Sequence, residues 1–171
     1  MPIMNVGGIT ERLVYFAKVL VGHLRGGLAH VNVVSSIFFA GLSGSAVADT
    51  SALGSMLIPA MEKQGYSRKF SAAVTAASSV IGPIIPPSII MIVYAYIMEI
   101  SVAALFLAGV IPGLLTGVGL MTMVSLIARR REYPVADQFP GIRVAARAGL
   151  NAFWPLLTPF IIIGGILSGV F

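Results

Sequence analysis

The sequence has no cysteine and few charged residues, and both shortages restrict what the protein can be. Without cysteine there is no disulfide framework, no thiolate metal site and no cysteine nucleophile. Charged residues make up only 10% of the 171 positions, whereas a typical soluble domain has about 25%. Hydrophobic residues make up 57%, and the mean hydropathy is +0.96. This composition predicts an integral membrane protein.

The charge that is present is mostly positive and unevenly placed. The sequence has eleven Lys and Arg residues and six Asp and Glu residues, which gives a net charge of +5. The basic residues fall in three segments, 12–25, 63–69 and 129–147. Basic segments mark the cytoplasmic ends of membrane spans, so all three are predicted on the cytoplasmic side. Because this placement explains the excess, we expect no nucleic-acid partner.

The stretch between the first two basic segments predicts a re-entrant hairpin. Its 35 residues, 27–61, would give roughly 50 Å of helix, less than the ~60 Å that two crossings need. Gly41–Ser45 breaks it in the middle, so the tip is expected deep in the membrane. Asp49 is the only acidic residue in the returning arm, and a carboxylate at that depth indicates function. It is interpreted as a cation partner, as a proton-linked group or, slightly preferred, as the cap of the returning half-helix.

The next apolar stretch, 70–97, contains the run SSVIGPIIPPSII. Gly82, Pro83, Pro86 and Pro87 remove backbone donors and interrupt the helical ladder. The pattern predicts two half-helices, about 70–81 and 88–97, with free carbonyls near Ser79, Gly82, Ile85 and Pro86. A continuous helix with a proline kink is the alternative.

The chain therefore divides into six predicted segments, which together form an all-α membrane protein. They are an interfacial amphipathic arm helix (1–26), a re-entrant hairpin (27–62), a broken transmembrane helix (63–101), a transmembrane helix (102–128), a cytoplasmic loop with an interfacial helix (129–149) and a transmembrane helix (150–171). Tyr133 and Trp154 are typical of anchors at a membrane interface.

An enzyme is not favoured. Gly41-Leu42-Ser43-Gly44 matches a short pattern of intramembrane serine proteases. Those enzymes need a histidine on a later span to activate the serine, and both His23 and His30 precede Ser43. We therefore predict no catalytic residue.

The run from FFAGLSGSAVADTSALGS to GPIIPPSIIMIVYA resembles the large membrane subunit of tripartite ATP-independent periplasmic (TRAP) transporters, a family that includes C4-dicarboxylate and sialic acid systems. The resemblance covers nearly the whole chain. It implies the first inverted repeat of an elevator-type ion transporter fold in a multi-pass protein of a bacterial or archaeal inner membrane. It further implies Na⁺ as coupling ion, an organic-acid substrate, a small four-helix membrane subunit and a periplasmic substrate-binding protein as partners.

The resemblance also implies the site residues. The first hairpin tip and the first broken helix would form one Na⁺ site, mostly through backbone carbonyls, with the substrate nearby. The implied Na⁺ ligands are Ser43, Ser45, Ala46, Gly82, Ile85 and Pro87, and the implied substrate-proximal residues are Gly44, Asp49, Ser51 and Pro86. No other metal is expected.

The chain is less than half the usual length of the family, so a fragment that lacks the second repeat is expected. The alternatives are a non-transporting membrane scaffold or a degenerate fragment, whose Gly/Ser tip only packs helices, and a passive channel.

Overall fold

The computed structural model describes residues 8–133 and 140–168, and within these ranges the protein is helical, with no strand. The helices are α1 (Ile9–Val21), α2 (Gly27–Ser43), α3 (Ala46–Lys63), α4 (Arg68–Ser79), α5 (Ile89–Met98), α6 (Val102–Arg130), α7 (Ile142–Asn151) and α8 (Phe153–Leu167). Parts of the predicted segments 1–26, 129–149 and 150–171 lie outside the described residues.

Helices α2 and α3 form a hairpin whose tip is narrower than the sequence predicts. Gly41, Leu42 and Ser43 are helical, and only Gly44 and Ser45 separate the two arms. Gly44 adopts a left-handed conformation (φ 57°), which a residue without a Cβ reaches at no steric cost. Its N–H donates to the carbonyl of Ala40 at 3.0 Å and closes α2. Helix α2 therefore continues through Ser43, and the chain turns at Gly44.

The second apolar stretch is broken, as the sequence predicts. Helix α4 ends at Ser79, α5 begins at Ile89, and residues 80–88 between them are not helical. Single prolines do not have this effect, because Pro59 lies inside α3 and Pro112 inside α6. The combination of prolines with Gly82 is what ends the helix, and the kinked-helix alternative is wrong.

Three chain segments that carry basic residues meet at one end of the bundle. Gly26, just before α2, lies against Ala128 near the end of α6. The rings of Tyr66 and Tyr133 lie 4.4 Å apart between centroids, and Phe70 packs on Tyr133 at 5.3 Å. The starts of α2 and α4 and the end of α6 therefore share one base.

The buried position of Tyr133 corrects the expectation that it anchors the chain at a membrane interface. Only 8% of it is exposed, because it belongs to the aromatic cluster at the shared base. Trp154, by contrast, is 72% exposed, as an anchor would be.

Helix α6 is the longest element and the one that touches both halves of the broken helix. Its 29 residues span about 44 Å, and among the described helices it alone is long and apolar enough to cross a membrane. The pair α7 and α8, bent by 58° at its junction, passes the same test only when taken together. Gly109, Gly113 and Gly117 line the face of α6 that lies against the break, so the two backbones approach closely.

Candidate functional site

The hairpin tip and the break in the second stretch lie in direct contact. A Cβ built on Gly44 would lie 2.5 Å from the carbonyl oxygen of Pro87, and one built on Gly82 would lie 3.3 Å from the backbone nitrogen of Ala46. Any side chain at Gly44 would therefore push the tip off the break. The structure brings the stretch 43–46 together with the stretch 82–87, which are the two stretches that hold the predicted Na⁺ ligands.

Four helix ends converge at this contact. Helices α2 and α4 end there, and α3 and α5 begin there. Carbonyl groups at the ends of α2 and α4 favour a cation, whereas N–H groups at the starts of α3 and α5 favour an anion. The arrangement can therefore hold a cation and an anionic group near each other.

The backbone carbonyls of the break are only partly used by the protein itself. The Ser79 carbonyl accepts from the Gly82 N–H at 3.0 Å, and the Ile81 carbonyl accepts from Ile85 at 2.9 Å. Within the described residues, no backbone amide donates to the carbonyls of Gly82 or Ile85. Of the carbonyl groups expected to be free, that of Ser79 accepts a hydrogen bond within a turn. The carbonyl oxygens of Gly82 and Ile85 remain available to a ligand.

On the tip side, two serines hold the turn. The Ser43 hydroxyl accepts from the Ser45 N–H at 3.4 Å, and the Ser45 hydroxyl accepts from the Ala48 N–H at the start of α3. Ser45 is therefore the cap that the sequence interpretation assigned to Asp49. Ser45 directly precedes the first helical residue, which is where a cap must stand.

A buried polar seam joins both hairpin arms to α4. We use this name for Asn32, Ser36, Asp49, Thr75, Ser78 and Ser79, each at most 1% exposed. The Asn32 amide donates to the Thr75 hydroxyl oxygen at 2.6 Å. The Ser36 hydroxyl donates to the Ser78 hydroxyl oxygen at 3.0 Å. These bonds fix the first half-helix to the hairpin in a shell that is otherwise apolar.

The residues predicted to lie near the substrate do not share one surface. Gly44 is at the tip, and Pro86 lines a cavity of about 260 Å³ whose other walls are mainly apolar, including Ile85 and Phe160. Ser51 is exposed on α3, while Asp49, two residues earlier, points into the seam and is fully buried. Two residues along a helix turn the side chain by about 200°, which separates them.

Most of the seam was not predicted, although the sequence carries a signal for it. Asn32 and Ser36 are four residues apart in an apolar helix, so they share one face. Ser71, Thr75 and Ser78 repeat the same pattern in α4, and all of these side chains are buried. Polar residues at helical spacing inside an apolar segment indicate contact between helices.

A helical hairpin whose tip meets an unwound segment, inside an apolar bundle, is the architecture that secondary membrane transporters use for binding sites. Over residues 2–171 the chain matches the family model of the tripartite ATP-independent periplasmic transporter, DctM component, and it belongs to that family.

Several characterised relatives are similar over almost the whole chain. The sialic acid TRAP transporter permease protein SiaT of Haemophilus influenzae is 48% identical over 99% of the chain. The sialic acid TRAP transporter large permease protein SiaM of Vibrio cholerae is 47% identical over 99%. The C4-dicarboxylate TRAP transporter large permease protein DctM of Pseudomonas aeruginosa is 44% identical over 98%. The chain spans 27%, 39% and 39% of the lengths of these three proteins.

Proposed function

We propose that this chain forms part of the transport core of a Na⁺-coupled secondary transporter that imports an organic acid delivered by a periplasmic binding protein. The core would work with a small four-helix membrane subunit in a bacterial or archaeal inner membrane, and a second repeat would complete it. An elevator movement of this core is part of the proposal.

The contact between tip and break is the observation that carries the proposal. Gly82 and Ile85 offer carbonyl oxygens that take no backbone hydrogen bond within the described residues, beside the ends of α2 and α4. Oxygen ligands without sulfur or imidazole suit a hard cation such as Na⁺. The starts of α3 and α5 suit the carboxylate of an organic acid.

The substrate belongs to the class of organic acids that carry a carboxylate. The relatives named above act on sialic acid and on C4-dicarboxylates, which share a carboxylate. No Arg or Lys lies between Gly26 and Lys63 or between Lys69 and Arg129. This part of the chain therefore has no side-chain clamp that would separate one acid from another.

The test is uptake of labelled sialic acid and of labelled succinate into proteoliposomes. These would contain a permease of the relatives' full length that includes this sequence, with its small subunit and binding protein. We expect uptake that requires both external Na⁺ and the binding protein. Uptake that continues when K⁺ replaces Na⁺ would contradict the coupling and would indicate a channel or a carrier driven by another gradient. No uptake under any gradient would favour a scaffold.

The double substitution Pro86→Ala and Pro87→Ala tests the site within that assay. Restoring two backbone donors should let helix form into the break and occupy the carbonyls there. We expect the Na⁺ concentration for half-maximal uptake to rise about tenfold, which corresponds to ~1.4 kcal/mol of lost binding. Pro59→Ala, at an exposed position inside α3, is the matched control and should leave it unchanged.

A further inference from the structure

Asp49 is buried without a partner for its charge. It is 0% exposed, and neither of its carboxylate oxygens has a hydrogen-bond partner among the described residues. The cap that would have explained it is made by Ser45 instead. Its two neighbouring helices, α2 and α4, bring serine and threonine side chains to the seam but no Lys or Arg. A carboxylate buried in such a place either binds a cation or takes up a proton.

The hydroxyls nearest to Asp49 do not supply that partner. Ser36 and Ser79 bring their hydroxyl groups to the carboxylate, but these contacts do not meet the hydrogen-bond geometry of the other seam bonds. The Ser36 hydroxyl donates to Ser78, and the Ser79 hydroxyl donates to the Thr75 carbonyl at 2.8 Å. Both hydroxyl oxygens lie beside the carboxylate. A carboxylate and neutral hydroxyl oxygens are ligands that suit a hard cation.

The other polar side chains of the seam bond one another and α4. The Asn32 amide donates to the Thr75 hydroxyl oxygen, and the Thr75 hydroxyl in turn donates to the Ser71 carbonyl at 2.9 Å. The Ser78 hydroxyl lies 3.1 Å from the Thr75 carbonyl and 3.3 Å from the Asn32 carbonyl oxygen, and it donates to these. Each hydroxyl in this chain of bonds thus has an acceptor other than Asp49.

We propose that Asp49, with the hydroxyl oxygens of Ser36 and Ser79, binds a sodium ion at a site separate from the backbone carbonyls of the tip and break. One carboxylate with neutral hydroxyl oxygens matches a single positive charge and a hard cation. The ion would join α2, α3 and α4, so its binding would lock the first half-helix to both arms of the hairpin. This inference rests on the proposed Na⁺ coupling and adds a second ion to it.

The experiment is sodium binding and thermal unfolding of the purified, detergent-solubilised transporter complex, in NaCl and in choline chloride. Asp49→Asn keeps the shape of the side chain and removes the charge. We expect this variant to bind one sodium ion fewer per permease and to gain less thermal stability from Na⁺. In choline chloride it should unfold at a higher temperature than the wild type, because a buried charge without a partner is gone.

Glu62→Gln is the matched control for the charge. Glu62 lies in the same helix, near its C-terminal end, where it pairs with Arg68 at 3.6 Å. This variant should bind as much sodium as the wild type. Combining Asp49→Asn with Pro86→Ala and Pro87→Ala separates the two sites, since independent sites give additive losses of bound sodium.

Two milder substitutions keep the test valid if Asp49→Asn does not fold. Ser36→Ala and Ser79→Ala each remove one neutral oxygen and leave the charge, so sodium should bind several-fold more weakly. Ser35→Ala, which removes a neighbouring buried hydroxyl on α2, should have no such effect. Unchanged sodium binding in Asp49→Asn overturns this site alone, and a proton would then be the partner of Asp49. If the wild type itself shows no response to sodium, the proposed function fails first.

Discussion

The two halves of the broken helix, α4 and α5, lie in the same stretch of chain and in opposite environments. Helix α4 buries Phe70 and four hydroxyl side chains against the hairpin, whereas α5 buries only Ala95. Large apolar side chains of α5 are mostly exposed, with Tyr96 at 85% and Ile97 at 69%. Helix α4 packs against α2, α3 and α6, while α5 packs mainly against α6.

This difference shows that polarity, not continuity of the chain, decides what each half contacts. The hydroxyl groups of α4 find partners only inside the protein, so α4 is held by the hairpin. Helix α5 is apolar on nearly every face, which is typical of a helix surrounded by lipid or by apolar parts of a larger protein. The break between them therefore separates a half that is buried against the hairpin from a half that is mostly exposed.

The substitution expected to disturb the contact between α5 and the hairpin most is Gly44→Ala. Gly44 lies where the hairpin tip meets the start of α5. The left-handed conformation costs about 1–2 kcal/mol for a residue with a Cβ, and overpacking against Pro87 adds about 1–3 kcal/mol. We expect the free energy of unfolding to fall by about 2–5 kcal/mol and uptake to be lost.

Gly65→Ala is the control, because Gly65 also has a positive φ (88°) but, among the described residues, no atom lies within 4 Å of a built Cβ. It should show only the conformational cost. Equal losses of stability in the two variants, measured by unfolding in detergent, would contradict the tight contact between tip and break.

The second test concerns the helix that touches both halves. A Cβ at Gly109 of α6 would lie 2.6 Å from the Ile84 carbonyl oxygen and 2.6 Å from the Met91 side chain of α5. Gly109→Ala should therefore lower the free energy of unfolding by about 1–3 kcal/mol through overpacking. Gly119→Ala, on the same helix with no described atom within 4 Å of the built Cβ, should be neutral or slightly stabilising. A loss of stability at Gly119 as large as that at Gly109 would show that the loss at Gly109 does not come from its contact with the break.

The smallest expected effect on stability comes from a direct comparison of α4 and α5, in which Thr and Val, which have similar shapes, replace each other. Thr75→Val in α4 removes the acceptor of the Asn32 amide, and we expect a loss of about 1–2 kcal/mol. Val93→Thr in α5 adds a hydroxyl at a position that is 52% exposed, where it can bond the carbonyl four residues earlier, and should change stability by less than about 0.5 kcal/mol. Thermal unfolding in detergent measures both, and similar losses would show that α4 and α5 do not differ in the way described.

The hairpin and the break could be predicted from the sequence because both depend on local backbone chemistry. Pro83, Pro86 and Pro87 lack the donors that a helix needs, and this holds whatever surrounds them. The exact tip could not be predicted, because helix propensity extends α2 through Ser43 until Gly44 turns the chain. The cap could not be assigned between Ser45 and Asp49 until the first residue of α3 was known.

The seam illustrates what local patterns leave out. The spacing of Asn32 and Ser36 defines a polar face, but not the residue that meets it. The partner of Asn32, Thr75, is 43 residues further along the chain, and only the packing of α2 on α4 brings them together. The burial of Asp49 beside Ser36 and Ser79 follows from that packing as well.

The shared base where Gly26 meets Ala128 has a consequence for the synthesis of the protein. The two residues are about a hundred positions apart, so at 5–20 residues per second the ribosome needs roughly 5–20 s to make the second after the first. During that interval the hairpin has neither α6 beside it nor, at first, Thr75 and Ser78 to pair with its polar side chains. The nascent hairpin must therefore wait, partly solvated or held by the insertion machinery, until the helices that enclose it emerge.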